Sequence, residues 1–269
     1  VSGTVYLVGA GPGAADLLTL RAVRLLERAD IVFHDALVPP EILALAAQAR
    51  RVEVGKRSGR HSTAQAFINK RLADAAGHHD VVVRLKGGDP MLFGRAHEEI
   101  AFLRERAIAV EVVPGVTAAL AASAESAISL TRRGLSRSVV FLTPRSGVGE
   151  RANEWVRAAL AADTACIYMG AGEAARIAQA LIAAGKPCDT PVLVVENASR
   201  PDARRFSGTL GRLSAVAALG AGGPILILLG EVYREAASSP IIEACNAERS
   251  SSLPTARATR TGRALSSNS

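Results

Sequence analysis

The residues best suited to chemistry in this sequence are two glycine turns. Gly9-Ala10-Gly11-Pro12-Gly13 follows one apolar run, and Lys86-Gly87-Gly88-Asp89-Pro90 follows another. Glycine lets the backbone approach a ligand closely or take φ > 0, and Pro90 holds Asp89 extended. Such turns present amide and carbonyl groups to a polar ligand; the plain alternative is two tight connections without one. The first turn, extended to Ala14, also fits the G-x-G-x-x-G/A dinucleotide fingerprint, with Asp35 placed to hold a ribose. That reading implies an oxidoreductase with the pyrophosphate on the following helix. It leaves the second turn, Asp35-Ala36-Leu37-Val38 and Gly55-Lys56-Arg57 without a role.

The elements that must position these turns alternate. Residues 4–8, 31–33, 52–54, 81–85 and 110–113 read as strands, and residues 16–28, 39–49, 62–76 and 98–106 as helices. Residues 81–85 are apolar apart from Arg84, as expected of a strand buried on both faces. After Pro114-Gly115 the rhythm restarts. Strands are predicted at 138–143, 165–169, 191–196, 206–209 and 224–229, and helices at 116–126, 154–161, 173–184 and 211–219. The pattern predicts an α/β fold of mostly parallel sheets in two domains, residues 1–115 and 116–237. Residues 238–269, rich in Ser, Thr, Ala and Arg, read as a disordered tail.

Composition narrows the function. With 269 residues and 49% hydrophobic content, the chain can bury ample core. Aromatics at 4% are too few for base-stacking platforms. The net charge of +7 comes almost wholly from arginine, the better fork for carboxylate or phosphate, although codon bias explains many arginines equally well. These arginines are dispersed, which argues against nucleic acid. Cys166, Cys188 and Cys245 lack metal-ligand spacing and fit a reducing cytoplasm, so neither a metal nor a disulfide is expected. No run has the length and apolarity to span a membrane, and the first residues read as a strand rather than a leader.

Taken in order, GAGPG at 9–13, DALV at 35–38, GKR at 55–57, VVRLKGGDPMLFGR at 82–95, PGVTAA at 114–119 and YMG at 168–170 resemble the tetrapyrrole methyltransferase family. The likeness runs from about Thr4 to about Tyr233. DALV, GKR, Gly59–Ser62 and Ile68-Asn69 mark the branch acting on uroporphyrinogen III. The resemblance implies a two-domain tetrapyrrole methylase fold with the site between the domains, and a homodimer. It further implies S-adenosyl-L-methionine as methyl donor, S-adenosyl-L-homocysteine as product, and methylation at C2 and C7 to give precorrin-2. By motif match the cofactor positions fall on Pro12, Gly87, Gly88, Asp89, Leu92, Thr117, Ala118, Met169 and Ala198. Core packing is the alternative for Met169. The proton acceptor maps to Asp35 and the donor to Lys56; helix capping and a surface ion pair are the respective alternatives. A substrate rich in carboxylates would give Arg57, Arg60, Arg95, Arg132 and Arg133 a use as forks, against plain solvation.

Four places depart from the family pattern: Ala96-His97 after Gly94-Arg95, Ser129 and Arg132 in SLTRR, Pro144-Arg145, and Ala198-Ser199. They leave a later precorrin open as the substrate. A dinucleotide oxidoreductase and a non-enzymatic anion or nucleic-acid binder are the readings from other classes.

Overall fold

The structure is a computed structural model and describes residues 3–54, 65–145, 154–238 and 243–244. Its first half runs β1 (Thr4–Gly9), α1 (Leu20–Glu27), β2 (Ile31–His34), α2 (Pro40–Ala44), β3 (Arg50–Glu53), α3 (Gln65–Ala76), β4 (Val81–Lys86), α4 (Ala96–Arg104) and β5 (Val110–Val113). The five strands form one sheet in the order β3-β2-β4-β1-β5, and every pairing is parallel.

Strand periodicity sorts the side chains onto two cores. Val8, Val83 and Leu85 pack with Leu25, Leu26 and Ile42 on the α1 and α2 face. Val5, Leu7 and Val82 pack with Ile68, Leu72 and Leu103 on the α3 and α4 face. Each such side chain, fully buried, contributes about 1.5–3 kcal/mol. Arg84 and Lys86 share the alternation of Val82, so two cations point into the second of these cores, and both are buried.

The second half holds α5 (Ala118–Glu125), β6 (Val139–Leu142), α6 (Trp155–Ala161), β7 (Thr164–Ile167), α7 (Ala174–Ala183), β8 (Pro191–Glu196), β9 (Arg204–Thr209), α8 (Leu213–Ala217), β10 (Ile225–Gly230), α9 (Arg234–Ser238) and β11 (Glu243–Ala244). Its sheet has the order β11-β9-β8-β10-β7-β6. The α/β class holds for both halves, but strand direction differs between them. In the second sheet β6 and β7 are parallel, while the pairings of β7, β10, β8, β9 and β11 are antiparallel. The seven residues between β8 and β9 are too few for a helical crossover, which fixes that pair as a hairpin.

Two corrections follow. The helix expected from residue 16 begins at Leu20, because Ala15–Leu17 forms a 3-10 turn and Thr19 Oγ1 accepts the Ala22 amide at 3.2 Å. Within the expected tail, Glu243 and Ala244 pair with Arg205 and Arg204, adding a strand to an edge that would otherwise expose its backbone groups. Residues 245–269 lie outside the described residues.

Candidate active site

Three strand ends converge at the carboxyl edge of the first sheet. Gly11 and Gly88 exchange backbone hydrogen bonds of 3.2 and 2.7 Å, and the Ala10 amide donates to the Lys86 carbonyl at 2.7 Å. The two glycine turns therefore form one unit. Gly11 and Gly88 have φ of 69° and 67°, a region that favours glycine. The third turn follows β5: the Gly115 amide donates to Asp89 Oδ2 at 3.0 Å, while Asp89 Oδ1 accepts the Met91 amide at 2.8 Å. Asp89 thus ties two turns together. At Gly87 an added Cβ would find only Leu37 Cβ, 4.0 Å away, so the backbone there faces open space.

This arrangement does not support a dinucleotide site. The helix after the first turn begins seven residues beyond Gly13 with its own Thr19 cap. Strand β4 also lies between β1 and β2, which moves Asp35 one strand away from the first turn.

Asp35 is partly exposed beyond the end of β2, and its Oδ1 accepts from an Arg84 terminal nitrogen at 2.5 Å. Arg84 also donates from Nε to Glu99 Oε1 at 3.2 Å and from its other terminal nitrogen to the Leu85 carbonyl at 3.1 Å. Lys86 Nζ donates to both Glu99 oxygens, at 3.1 and 3.0 Å. Gln65 on α3 adds a further bond to Glu99 Oε1 at 3.1 Å. Burial, and next the Arg84 charge, pull the Lys86 amine below its ordinary range, with Glu99 and Asp35 opposing.

The end of β7 reaches these turns, where Tyr168 is hydrogen-bonded to Thr117 and Met169 follows it. The Tyr168 ring lies 5.2 Å from that of Phe93, centre to centre. Met169 is 42% exposed with φ of 56°, so it is not a core residue. Of seven non-glycine residues with positive φ among the described residues, five (Phe93, Arg95, Met169, Asn197 and Ser199) sit on the turns that follow β4, β7 and β8. Strained backbone concentrates where function needs a particular geometry. The turn after β8 closes one margin. Ser199 Oγ accepts the Ala14 amide at 3.0 Å, Arg200 donates to the Leu37 carbonyl at 2.5 Å, and the Arg200 side chain lies against Gly13.

Pro12, Gly87, Gly88, Asp89, Leu92, Thr117 and Ala118 all lie on the three converging turns or the residues that continue them, and Met169 follows Tyr168, which is bonded to Thr117. Ala198 is buried beside the Ser199 contact rather than open to the cleft. Arg95 opens α4 and forms a two-point pair with Glu98 at 2.7 and 2.8 Å, which holds the Glu98 carboxyl below its usual range. Arg132 and Arg133 are set apart. Their loop is anchored through Ser136 Oγ to Thr164 at the start of β7, and Arg132 pairs with Glu235 at 3.2 Å. Four residues of strand, about 13 Å, separate Thr164 from Tyr168. Lys56, Arg57 and Arg60 lie outside the described residues. Among the described residues, no group of His, Cys, Asp or Glu could hold a metal ion, and no helix is long and apolar enough to cross a membrane.

Sequence reasoning assigned no role to Arg84, Lys86, Glu99, Tyr168, Ser199 or Arg200. Arg84 carried a signal, because a charge within a strand buried on both faces requires a buried partner. The Ser199 and Arg200 contacts span more than 160 residues and left none.

The sequence pattern of the tetrapyrrole (corrin/porphyrin) methylases matches residues 4–214. A sirohaem synthase of Chromobacterium violaceum is 46% identical over 233 residues, covering 86% of this chain and 50% of that protein. The chain thus spans about half the length of the curated relatives it matches. A crystal structure of uroporphyrin-III C-methyltransferase from Thermus thermophilus, complexed with S-adenosylhomocysteine, is 41% identical. It superposes with a TM-score of 0.76, covering 87% of this chain and 100% of that one. A cobalt precorrin-4 methyltransferase is 28% identical with a TM-score of 0.73, covering 85% of this chain and 95% of that one.

Proposed function

The chain belongs to the tetrapyrrole (corrin/porphyrin) methylases, and from that premise we propose that it is an S-adenosylmethionine-dependent methyltransferase that converts uroporphyrinogen III to precorrin-2. Methylation falls at C2 and C7, in sirohaem or cobalamin synthesis. The observation that carries this reading is the meeting of three glycine turns and Asp35 at one sheet edge, joined to the end of β7 through Tyr168. A homodimer and a cytoplasmic location belong to the same reading.

The residues present suit the cofactor. A zwitterionic amino acid, a ribose and a flat base need convergent amides and carbonyls beside an apolar slot. The open backbone at Gly87 and the half-exposed Leu37 and Met169 offer both. S-adenosylmethionine, when bound, supplies an electrophilic methyl group on its sulfonium. The acceptor is an electron-rich pyrrole carbon, so the chain need not provide a nucleophile. Asp35, with Oδ1 held by Arg84, takes the proton that the macrocycle loses, through Oδ2. Lys56 is the proposed proton donor. Arg57, Arg60 and Arg95 are proposed to receive substrate carboxylates, Arg95 by exchanging its pairing with Glu98.

The test is anaerobic incubation with methyl-labelled S-adenosylmethionine and fresh uroporphyrinogen III, followed by product mass. Two added methyl groups are expected. Cofactor binding without transfer would move the substrate to a later precorrin, and the absence of binding would end the reading.

A further inference from the structure

Glu99 is completely buried, and the Arg84 and Lys86 side chains are each 4% exposed. With Asp35 they form a quartet of two cations and two carboxylates, neutral by formal charge. Each buried member is held by several bonds. Glu99 receives bonds from Arg84, Lys86 and Gln65, and Arg84 spends all three nitrogens on Glu99, Leu85 and Asp35. Asp35, at 30% exposure, is the one member open to solvent. A buried ion pair is weak evidence for stability, since packed apolar residues do as well or better. What the quartet does supply is a fixed direction. Arg84 comes off a central strand and cannot swing, so its guanidinium presents Asp35 Oδ1 with a single position. Lys86 lies directly before Gly87, and its carbonyl anchors the first glycine turn through Ala10.

We propose that Glu99 is a positioning residue for methyl transfer: one buried carboxylate that orients Asp35 through Arg84 and holds the Gly87-Gly88 turn through Lys86. The cofactor side and the proton-accepting side of the site are thereby set by a single side chain on α4. This rests on the reading of Asp35 as proton acceptor given above.

The test is a double-mutant cycle in the full chain. Glu99→Gln keeps the shape of the side chain and removes its charge. It lowers kcat about 10- to 100-fold with KM for the tetrapyrrole nearly unchanged, and weakens S-adenosylhomocysteine binding about 3- to 10-fold by calorimetry. On an Asp35→Asn background the same change lowers kcat by less than about threefold, while its effect on S-adenosylhomocysteine binding persists. Arg84→Lys keeps the charge but not the fork. It lowers kcat by about tenfold with normal S-adenosylhomocysteine binding, and it replaces Asp35→Asn in the cycle if that variant has no measurable turnover. It also stands in if Glu99→Gln does not fold. Multiplicative effects of Glu99→Gln and Asp35→Asn on kcat, or normal turnover in Arg84→Lys, would overturn the proposal and leave the role of Asp35 intact. Full activity in Asp35→Asn would instead remove the reading on which the proposal rests.

Discussion

The hydroxyl groups of Tyr168 and Thr117 lie 2.7 Å apart, and the Tyr168 oxygen also accepts the Ala119 amide at 3.2 Å. One phenol thus joins the end of β7 to the first turn of α5, whose opening amides lack partners within the helix. Burial raises the Tyr168 phenol above its ordinary pKa, so it remains a neutral hydroxyl. Tyr168→Phe leaves the ring contact with Phe93 and removes both bonds. Thermal unfolding is expected to show a loss of about 1–2 kcal/mol. An unchanged melting temperature would mean that the two bonds contribute nothing net.

Gly115 lies where two other turns leave no room. An added Cβ would sit 2.3 Å from the Gly88 carbonyl oxygen and 2.9 Å from Gly9 Cα, both backbone atoms. Gly115→Ala should therefore destabilise by about 3 kcal/mol and weaken S-adenosylhomocysteine binding, because the turns must separate. Gly172→Ala has nothing within 4 Å and should fall within about 0.5 kcal/mol of the parent. Equal behaviour of the two variants in urea unfolding would refute the packing argument.

Lys86 should leave a mark on stability at alkaline pH. Its amine is lowered in the folded chain from the ordinary 10.5. Between the folded value and about 10.5 the unfolded chain binds more protons, so this group's contribution to stability rises with pH. The cost of burying the charge is present in full below the folded value and is relieved as pH climbs through the window. Lys86→Met removes the effect and leaves Glu99 short of a partner, for a loss of about 3 kcal/mol near pH 7. Urea unfolding between pH 7 and 10 should show the gap between parent and variant widening. A constant gap would argue against the shift.

Cysteine reactivity should divide by burial. The Cys166 thiol lies inside the second sheet, and burial pushes its pKa up to about 12, whereas Cys188 is exposed. The thiolate is the reactive form. Iodoacetamide at pH 8 should alkylate Cys188 in the native protein and spare Cys166 until denaturant is added, as read by peptide mass. Equal labelling would place Cys166 in contact with solvent.

The first sheet was largely legible, because most of its strands are short apolar runs, β1, β4 and β5 lead into glycine turns, and helices alternate with them. Helix starts were less so. Asp16 resembles a cap in sequence, yet the chain takes a 3-10 turn there and Thr19 serves instead. Strand direction in the second sheet was hidden, because alternating helices and strands describe spacing along the chain and say little about which way a returning strand runs. Only the short link between β8 and β9 gave that away. The turn that holds Asp89 was legible, but the bond its carboxylate accepts from the Gly115 amide of another turn was not. Arg132 and Arg133 look like their fellow arginines in sequence. Only the Ser136–Thr164 bond shows that their loop belongs to the far end of β7.

The clasp at Ser199 and Arg200 fastens the turn after β8 to the first half of the chain. Three contacts hold it there, at Ala14, Leu37 and Gly13. Like stitches in one short seam, all three must be undone before that turn can lift away.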